Sequence, residues 1–224
     1  MRYRCLILDH DDTTVRSTAD IHYPSYRESM RRLRPEIEPL DMHAFLEKNF
    51  HPGIVEFLTT EVGLTSDELK LEYEIWRSFT SSTVPSFFPG MLELISEVRA
   101  AGGLVAVVSH SEEDIIRWHY REATDGTLTP DYVMGWHHEK HKRKPSTYPV
   151  DRILDELDVA PADALVVDDL KPGVEMARAA GVAVAAAGWG HRVDSIAGQM
   201  RELCDVYLES VDELRDYLFS ASSG

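Results

Sequence analysis

Leu6-Ile7-Leu8-Asp9-His10-Asp11-Asp12-Thr13-Thr14 is the stretch that decides the fold. Residues 5–8 form an apolar run too short for a helix, and carboxylates follow it at once. An apolar run without polar alternation suits a strand covered on both faces, as in a parallel sheet. Ligands of open parallel sheets bind beyond the carboxyl ends of the strands. Asp9 and Asp11, two residues apart at such an end, are therefore candidate site residues. The plainer reading of the run is a helix N-cap or a solvated acidic turn, because Asp and Thr favour both.

Working outward, residues 104–108, 164–167, 182–186 and 206–208 read as further strands, with a weaker one at 132–134. Helical stripes lie between them. Met91, Leu92, Ile95 and Val98 form one, closed by Gly102-Gly103. Ser111 reads as the N-cap of another, before Ile115, Ile116 and Trp118. Val150, Ile153, Leu154 and Leu157 make a third, and Ser210 with Glu213 has the capping-box spacing ahead of Leu214 and Leu218. Strand–helix alternation with short connections predicts an α/β chain, a Rossmann-like three-layer sandwich around a parallel sheet. Residues 16–86 break the alternation. Their apolar positions keep helical spacing between Pro35, Pro39, Pro52, Gly53 and Gly63. The reading is a small all-helical cap domain, residues 16–86, inserted after the first strand. The α/β core domain is then residues 1–15 and 87–224, with a hinge where the chain crosses between them.

The 224 residues are 43% hydrophobic and 28% charged, which excludes extensive disorder. Lys and Arg total 23 against 39 Asp and Glu, a formal charge of −16 that argues against general affinity for nucleic acid or anionic membrane. Cys5 and Cys204 cannot build a disulfide framework and fit a reducing compartment. No secretory apolar segment and no run near the ~20 apolar residues of a membrane span is visible, so a cytoplasmic location is expected.

A second acidic point, Asp168-Asp169, follows the strand-like residues 164–167. Two strand ends carrying paired carboxylates repel in one crevice, by about 4 kcal/mol per pair at ~4 Å and an effective dielectric near 20. Such a cluster needs a cation, and oxygen ligands favour a hard one such as Mg²⁺ over zinc. Ser109-His110-Ser111 ends the 104–108 strand and offers a hydroxyl and a helix start to an anion. Lys144, before Pro145-Ser146, can bring an ammonium to the mouth of the sheet. Singly, Ser109 reads as a turn residue and Lys144 as a solvated lysine.

Together, and in this order, these residues resemble the haloacid dehalogenase superfamily of phosphotransferases. Asp9, Asp11 and Thr13 match its first motif, Ser109 the second, Lys144 the third, and Asp168-Asp169 the fourth. The resemblance runs over nearly the whole chain, and the helical insert is similar to the cap of phosphoglycolate-phosphatase-like and β-phosphoglucomutase-like members. It implies a Mg²⁺-dependent hydrolase of a small phosphorylated metabolite. Asp9 would form an aspartyl-phosphate and Asp11 would serve as general acid and base. Ser109, His110 and Lys144 would bind phosphate. Asp9, Asp168, Asp169 and the Asp11 main-chain carbonyl would hold Mg²⁺.

The sequence departs from the family pattern in four places. Asp12 stands where Gly is usual, His10 where an apolar residue is, His110 where Asn is common, and Gly173 where a further acid can occur. His22, Tyr23, Tyr26 and Arg27 on the first insert helix are candidate substrate contacts. His138-Glu139-Lys140-His141 falls one residue short of the zinc-protease spacing and reads instead as an exposed basic surround for Lys144. Rival readings are a phosphomutase, a halide-releasing relative and a phospho-accepting signalling module. The last is disfavoured by Lys144 preceding the acidic pair and by the long insert.

Overall fold

The computed structural model describes residues 1–220. Six strands form one sheet: β1 (Cys5–Leu8), β2 (Leu104–Val108), β3 (Tyr132–Met134), β4 (Ala164–Asp168), β5 (Ala183–Ala187) and β6 (Val206–Leu208). All pairings are parallel, in the order β3-β2-β1-β4-β5-β6. The expected strands are all present; β4 runs one residue further than the apolar pattern indicated, and β5 is shifted one residue onward, from 182–186 to 183–187.

Alternate side chains of every central strand leave opposite faces, which is why both faces had to be apolar. Cys5, Ile7, Ala106, Val166 and Val184 pack with helices α7 (Tyr148–Leu157), α8 (Lys171–Ala179) and α9 (Asp194–Leu203). Leu6, Leu8, Val105, Val107 and Leu165 pack with α5 (Met91–Ala100), α6 (Glu113–Ala123) and α10 (Val211–Phe219). This is the expected three-layer sandwich. The chain runs outward from β1 to β3, then returns to lay β4 on the other side of β1. Such a reversal of strand order opens a crevice at the carboxyl ends of β1 and β4.

The helical insert follows β1. A π-helical turn, Thr18–His22, leads into α1 (Tyr23–Leu33), and α2 (Met42–Phe50), α3 (Ile54–Thr60) and α4 (Ser66–Thr80) complete it. Its own apolar cluster joins Tyr26, Met30, Phe45, Phe57 and Leu58. Asp41 caps α2 and a Thr65–Glu68 capping box starts α4, supplying partners for backbone N–H groups that a helix start leaves free. The two crossings lie side by side: Val15 pairs antiparallel with Phe87, Arg16 N–H donates to the Ser86 carbonyl at 2.8 Å, and Phe88 N–H to Thr14 at 3.1 Å. Among the described residues no helix is long and apolar enough to cross a membrane.

The expected Ser111 N-cap is corrected. Helix α6 begins at Glu113 with Glu112 as its cap and no side-chain cap bond. Ser111 instead gives its N–H to Ser109 Oγ at 2.9 Å and its carbonyl to Trp136, ordering the turn that carries Ser109.

Candidate active site

Asp9 is the first residue beyond β1, fixed by its N–H on the Val167 carbonyl at 2.9 Å. Thr14 Oγ1 donates to the Asp9 carbonyl at 2.7 Å, folding the following loop back on the strand end. The loop turns at Asp12, whose φ of 52° lies in the left-handed region that favours glycine. Its carboxylate offsets this by accepting from Thr18 N–H at 3.0 Å. Burial, with the Asp169 charge acting in the same direction, pushes the Asp12 carboxyl up to about 7.

Lys144 reaches between β1 and β4. Its Nζ is 2.6 Å from Asp9 Oδ1 and 2.7 Å from Asp168 Oδ2, with all three side chains buried. Burial disfavours the ammonium, but Asp168 and Asp9 outweigh this and hold Lys144 above its ordinary value. Asp9 is raised well above the carboxylate range, first by burial, then by Asp168, Asp169 and Asp11 against the opposing pull of Lys144. Asp168 is raised by burial and Asp169. The Leu170 N–H fixes Asp168 Oδ1 at 2.9 Å, and Thr13 Oγ1 donates to Asp169 Oδ1 at 3.3 Å. His191, which the sequence reading missed, lies 3.5 Å behind Asp169 Oδ2.

Asp9, Asp168 and Asp169 each offer an oxygen, all within 4.8 Å of one another. Lys144 pairs with two of these three buried carboxylates and Asp169 faces His191 instead, so the group is short of positive charge and presents the oxygen donors a hard divalent cation takes. These residues fit Mg²⁺. The Asp11 side chain lies outside this group. Its Oδ2 accepts from Ser109 Oγ at 2.9 Å and its Oδ1 from His22 Nε2 at 3.1 Å. Trp76 Nε1–H donates to His22 Nδ1 at 3.0 Å, which leaves the proton of a neutral ring on Nε2, facing Asp11. Burial alone would raise Asp11, but the His22 bond and charge outweigh it and hold the carboxyl well below its usual range.

A profile of haloacid dehalogenase-like hydrolases matches residues 6–187, which takes in all these groups except His191. The chain belongs to the haloacid dehalogenase-like hydrolase family. No curated protein matches the chain. A haloacid dehalogenase-like hydrolase of Streptococcus pneumoniae superposes with a TM-score of 0.75 at 18% identity, covering 96% of this chain and 98% of that one. CbbY of Rhodobacter sphaeroides, in complex with phosphate, gives 0.70 at 22% identity, over 95% of this chain and 96% of its own. A candidate phosphoglycolate phosphatase of Lactobacillus plantarum gives 0.73 at 22%, over 96% and 99%.

Against the haloacid dehalogenase pattern, Asp9, Asp11, Ser109, Lys144, Asp168 and Asp169 converge at one crevice. His110 Nε2 is 3.2 Å from the Lys144 carbonyl, so it braces the lysine-bearing loop as well as lining the cavity. Burial lowers its ring to about 4. The four expected substrate contacts divide. His22 and Tyr26, four residues apart, line the cavity above Asp9. Tyr23 and Arg27 do not, and the expectation for them is corrected: they line a separate outer groove with Glu28 and Arg31. A residue advances about 100° around a helix, so these two belong to the adjacent stripe of α1. The Tyr23 ring packs on Phe45, and its hydroxyl donates to the Leu40 carbonyl at 3.0 Å.

Helix α4 supplies Glu72 and Trp76 to the same cavity. Neither was foreseen, although a carboxylate four residues from a tryptophan on one helix face was the available signal. The 137–144 segment contains only a short 3₁₀ turn, Lys140–Lys142. His137, His138 and Glu139 come close enough to share an ion, yet Glu139 is already held by Lys142 Nζ at 2.5 Å. His137 Nδ1 accepts the Glu139 N–H at 3.0 Å.

Proposed function

We propose that the chain is a Mg²⁺-dependent phosphatase that hydrolyses a small phosphomonoester through an aspartyl-phosphate on Asp9, with residues 16–86 acting as a cap domain over the site. One observation carries this reading: a carboxylate at the end of β1 meets Lys144, Asp168 and Asp169 on one side and a separately anchored Asp11 on the other. The first group suits a phosphoryl group and its counter-ion, and the second suits proton transfer.

In the first step an Asp9 oxygen forms a bond to phosphorus while the bond to the leaving oxygen breaks, and Asp11 delivers a proton to that oxygen. In the second, Asp11 takes a proton from water, which attacks phosphorus and releases Asp9 and inorganic phosphate. Asp9, Asp168 and Asp169 would hold Mg²⁺, which would supply charge neutralisation for the phosphoryl oxygens. Lys144 orients the transferring group, and Ser109 holds Asp11 at the correct distance. The ligand-free geometry favours ionised Asp11, the base state. A phosphate dianion arriving beside it raises its pKa by like charge, the direction that the acid role requires. The cavity over Asp9 has a volume of about 260 Å³, room for a small metabolite.

The test is phosphate release from a panel of phosphomonoesters with Mg²⁺ and with chelator. Turnover should require the metal, and Asp9→Asn should abolish it while the circular dichroism spectrum stays native. Residual turnover by Asp9→Asn above about a thousandth of wild type would reject Asp9 as nucleophile.

A further inference from the structure

The cavity above Asp9 has a floor and a roof of different chemistry. The floor carries the carboxylates and Lys144. The roof, drawn from α1, α2, α3 and α4, presents Tyr26, Phe45, Asn49, Ile54, Glu72 and Trp76. Among the described residues no lysine or arginine lines this roof, and Arg27 and Arg31 lie on the outer groove. With His22 committed to Asp11 and Trp76, the roof offers one ionisable acid, Glu72. This carboxylate is half-buried, and among the described residues no hydrogen bond or ion pair holds it. His22 is the one charge partner acting on it, and burial raises it above the ordinary carboxylate value.

A carboxylate at a cavity wall that no hydrogen bond or ion pair holds sorts ligands by charge. A leaving group ending in a carboxylate or a second phosphate would meet Glu72 as a like charge, with no lysine or arginine on the roof to offset it. A protonated or quaternary amine would give Glu72 its missing partner. Trp76, Tyr26 and Phe45, which line the same cavity, supply aromatic faces that attract alkylammonium groups. We infer that Glu72 and the aromatic roof form an ammonium subsite, and that the substrates are small phosphomonoesters of amino alcohols. The inference rests on the phosphatase reading for the fate of the phosphoryl group, but not for binding.

The test compares phosphocholine with its uncharged carbon isostere, 3,3-dimethylbutyl phosphate, and phosphoethanolamine with 2-phosphoglycolate, all at fixed Mg²⁺. Wild type should favour the ammonium member of each pair by at least about tenfold in kcat/KM, the range of one charge-assisted contact. In Glu72→Gln the phosphocholine preference should collapse towards unity, mainly through KM, and Glu72→Lys should reverse the second pair. Equal handling of phosphocholine and its isostere by wild type would overturn the inference, as would a preference that survives Glu72→Gln. Calorimetric binding of phosphocholine to Asp9→Asn, with and without Glu72→Gln, separates the two readings. Binding that depends on Glu72 without wild-type turnover would overturn the phosphatase reading and uphold the subsite. Turnover with no Glu72 dependence in binding would do the reverse.

Discussion

Lys144 shows how tightly stability and chemistry are joined at single residues. It is the one ammonium among three buried carboxylates, so removing it leaves charge uncompensated rather than merely deleting a contact. Lys144→Met should lose about 3–5 kcal/mol of stability in urea unfolding, and Mg²⁺ should restore more of it than it adds to wild type. His10 makes a different demand. It lies buried against His119, with His10 Nε2 and His119 Nδ1 3.0 Å apart, and burial lowers the His10 ring to about 3. Above pH 6.5 neither folded nor unfolded chain protonates it, so it contributes no slope. Between pH 6.5 and about 3 only the unfolded chain takes the proton, and stability falls as pH falls, by about 1.4 kcal/mol per pH unit. Urea midpoints from pH 7.5 to 5 should therefore decline less steeply in His10→Leu. Asp9, Asp11, Ser109, Lys144 and the acidic pair were legible because each stands at the end of an apolar run or in a recognisable motif. The hold of His22 and Trp76 on Asp11 was not, since it depends on how α1 and α4 pack against each other.

At the scale of elements, strand ends decide the site, and glycines decide how closely helices approach them. Helix α8 starts directly beyond β4, and a Cβ on Gly173 would stand 1.8 Å from Asp168 Oδ2. The glycine is therefore a condition for the position of Asp168, not a weakened acidic motif. Gly173→Ala should cost about 1–3 kcal/mol and abolish phosphate release, even though residue 173 contributes no side chain to the cavity. Thermal unfolding and a turnover assay check the two parts separately. Periodicity found the strands and helices because both faces of the sheet had to be apolar. It failed on which stripe of α1 faces inward, since α1 is covered on more than one side: Tyr26 supports the cavity while Tyr23 packs on Phe45. It also placed a cap at Ser111, whose N–H is taken by Ser109. Local residue preference could not register that tertiary choice.

In the whole molecule, helix α4 of the insert is fastened to the start of α6 in the core. Arg77 makes 2.8 Å ion pairs with Glu112 and Asp114, and the Tyr73 hydroxyl donates to Glu112. These groups are partly exposed, so each pair contributes little to folding and is weakened by salt. Arg77→Ala should shift global stability by less than about 1 kcal/mol and raise KM up to about fivefold at low salt, an excess over wild type that shrinks as ionic strength rises. Steady-state kinetics across a salt series would show it. The paired crossings at Val15 and Phe87 have a wider consequence. Chain ends stitched one strand-spacing apart, about 5 Å, present the α/β layers with the same boundary whatever polypeptide lies beyond it. The insert is in that sense a replaceable cassette: a two-residue turn or a foreign bundle could be spliced there without disturbing the register of the sheet. New leaving-group preferences could then arise by exchanging that module while Asp9 and its partners stay as they are.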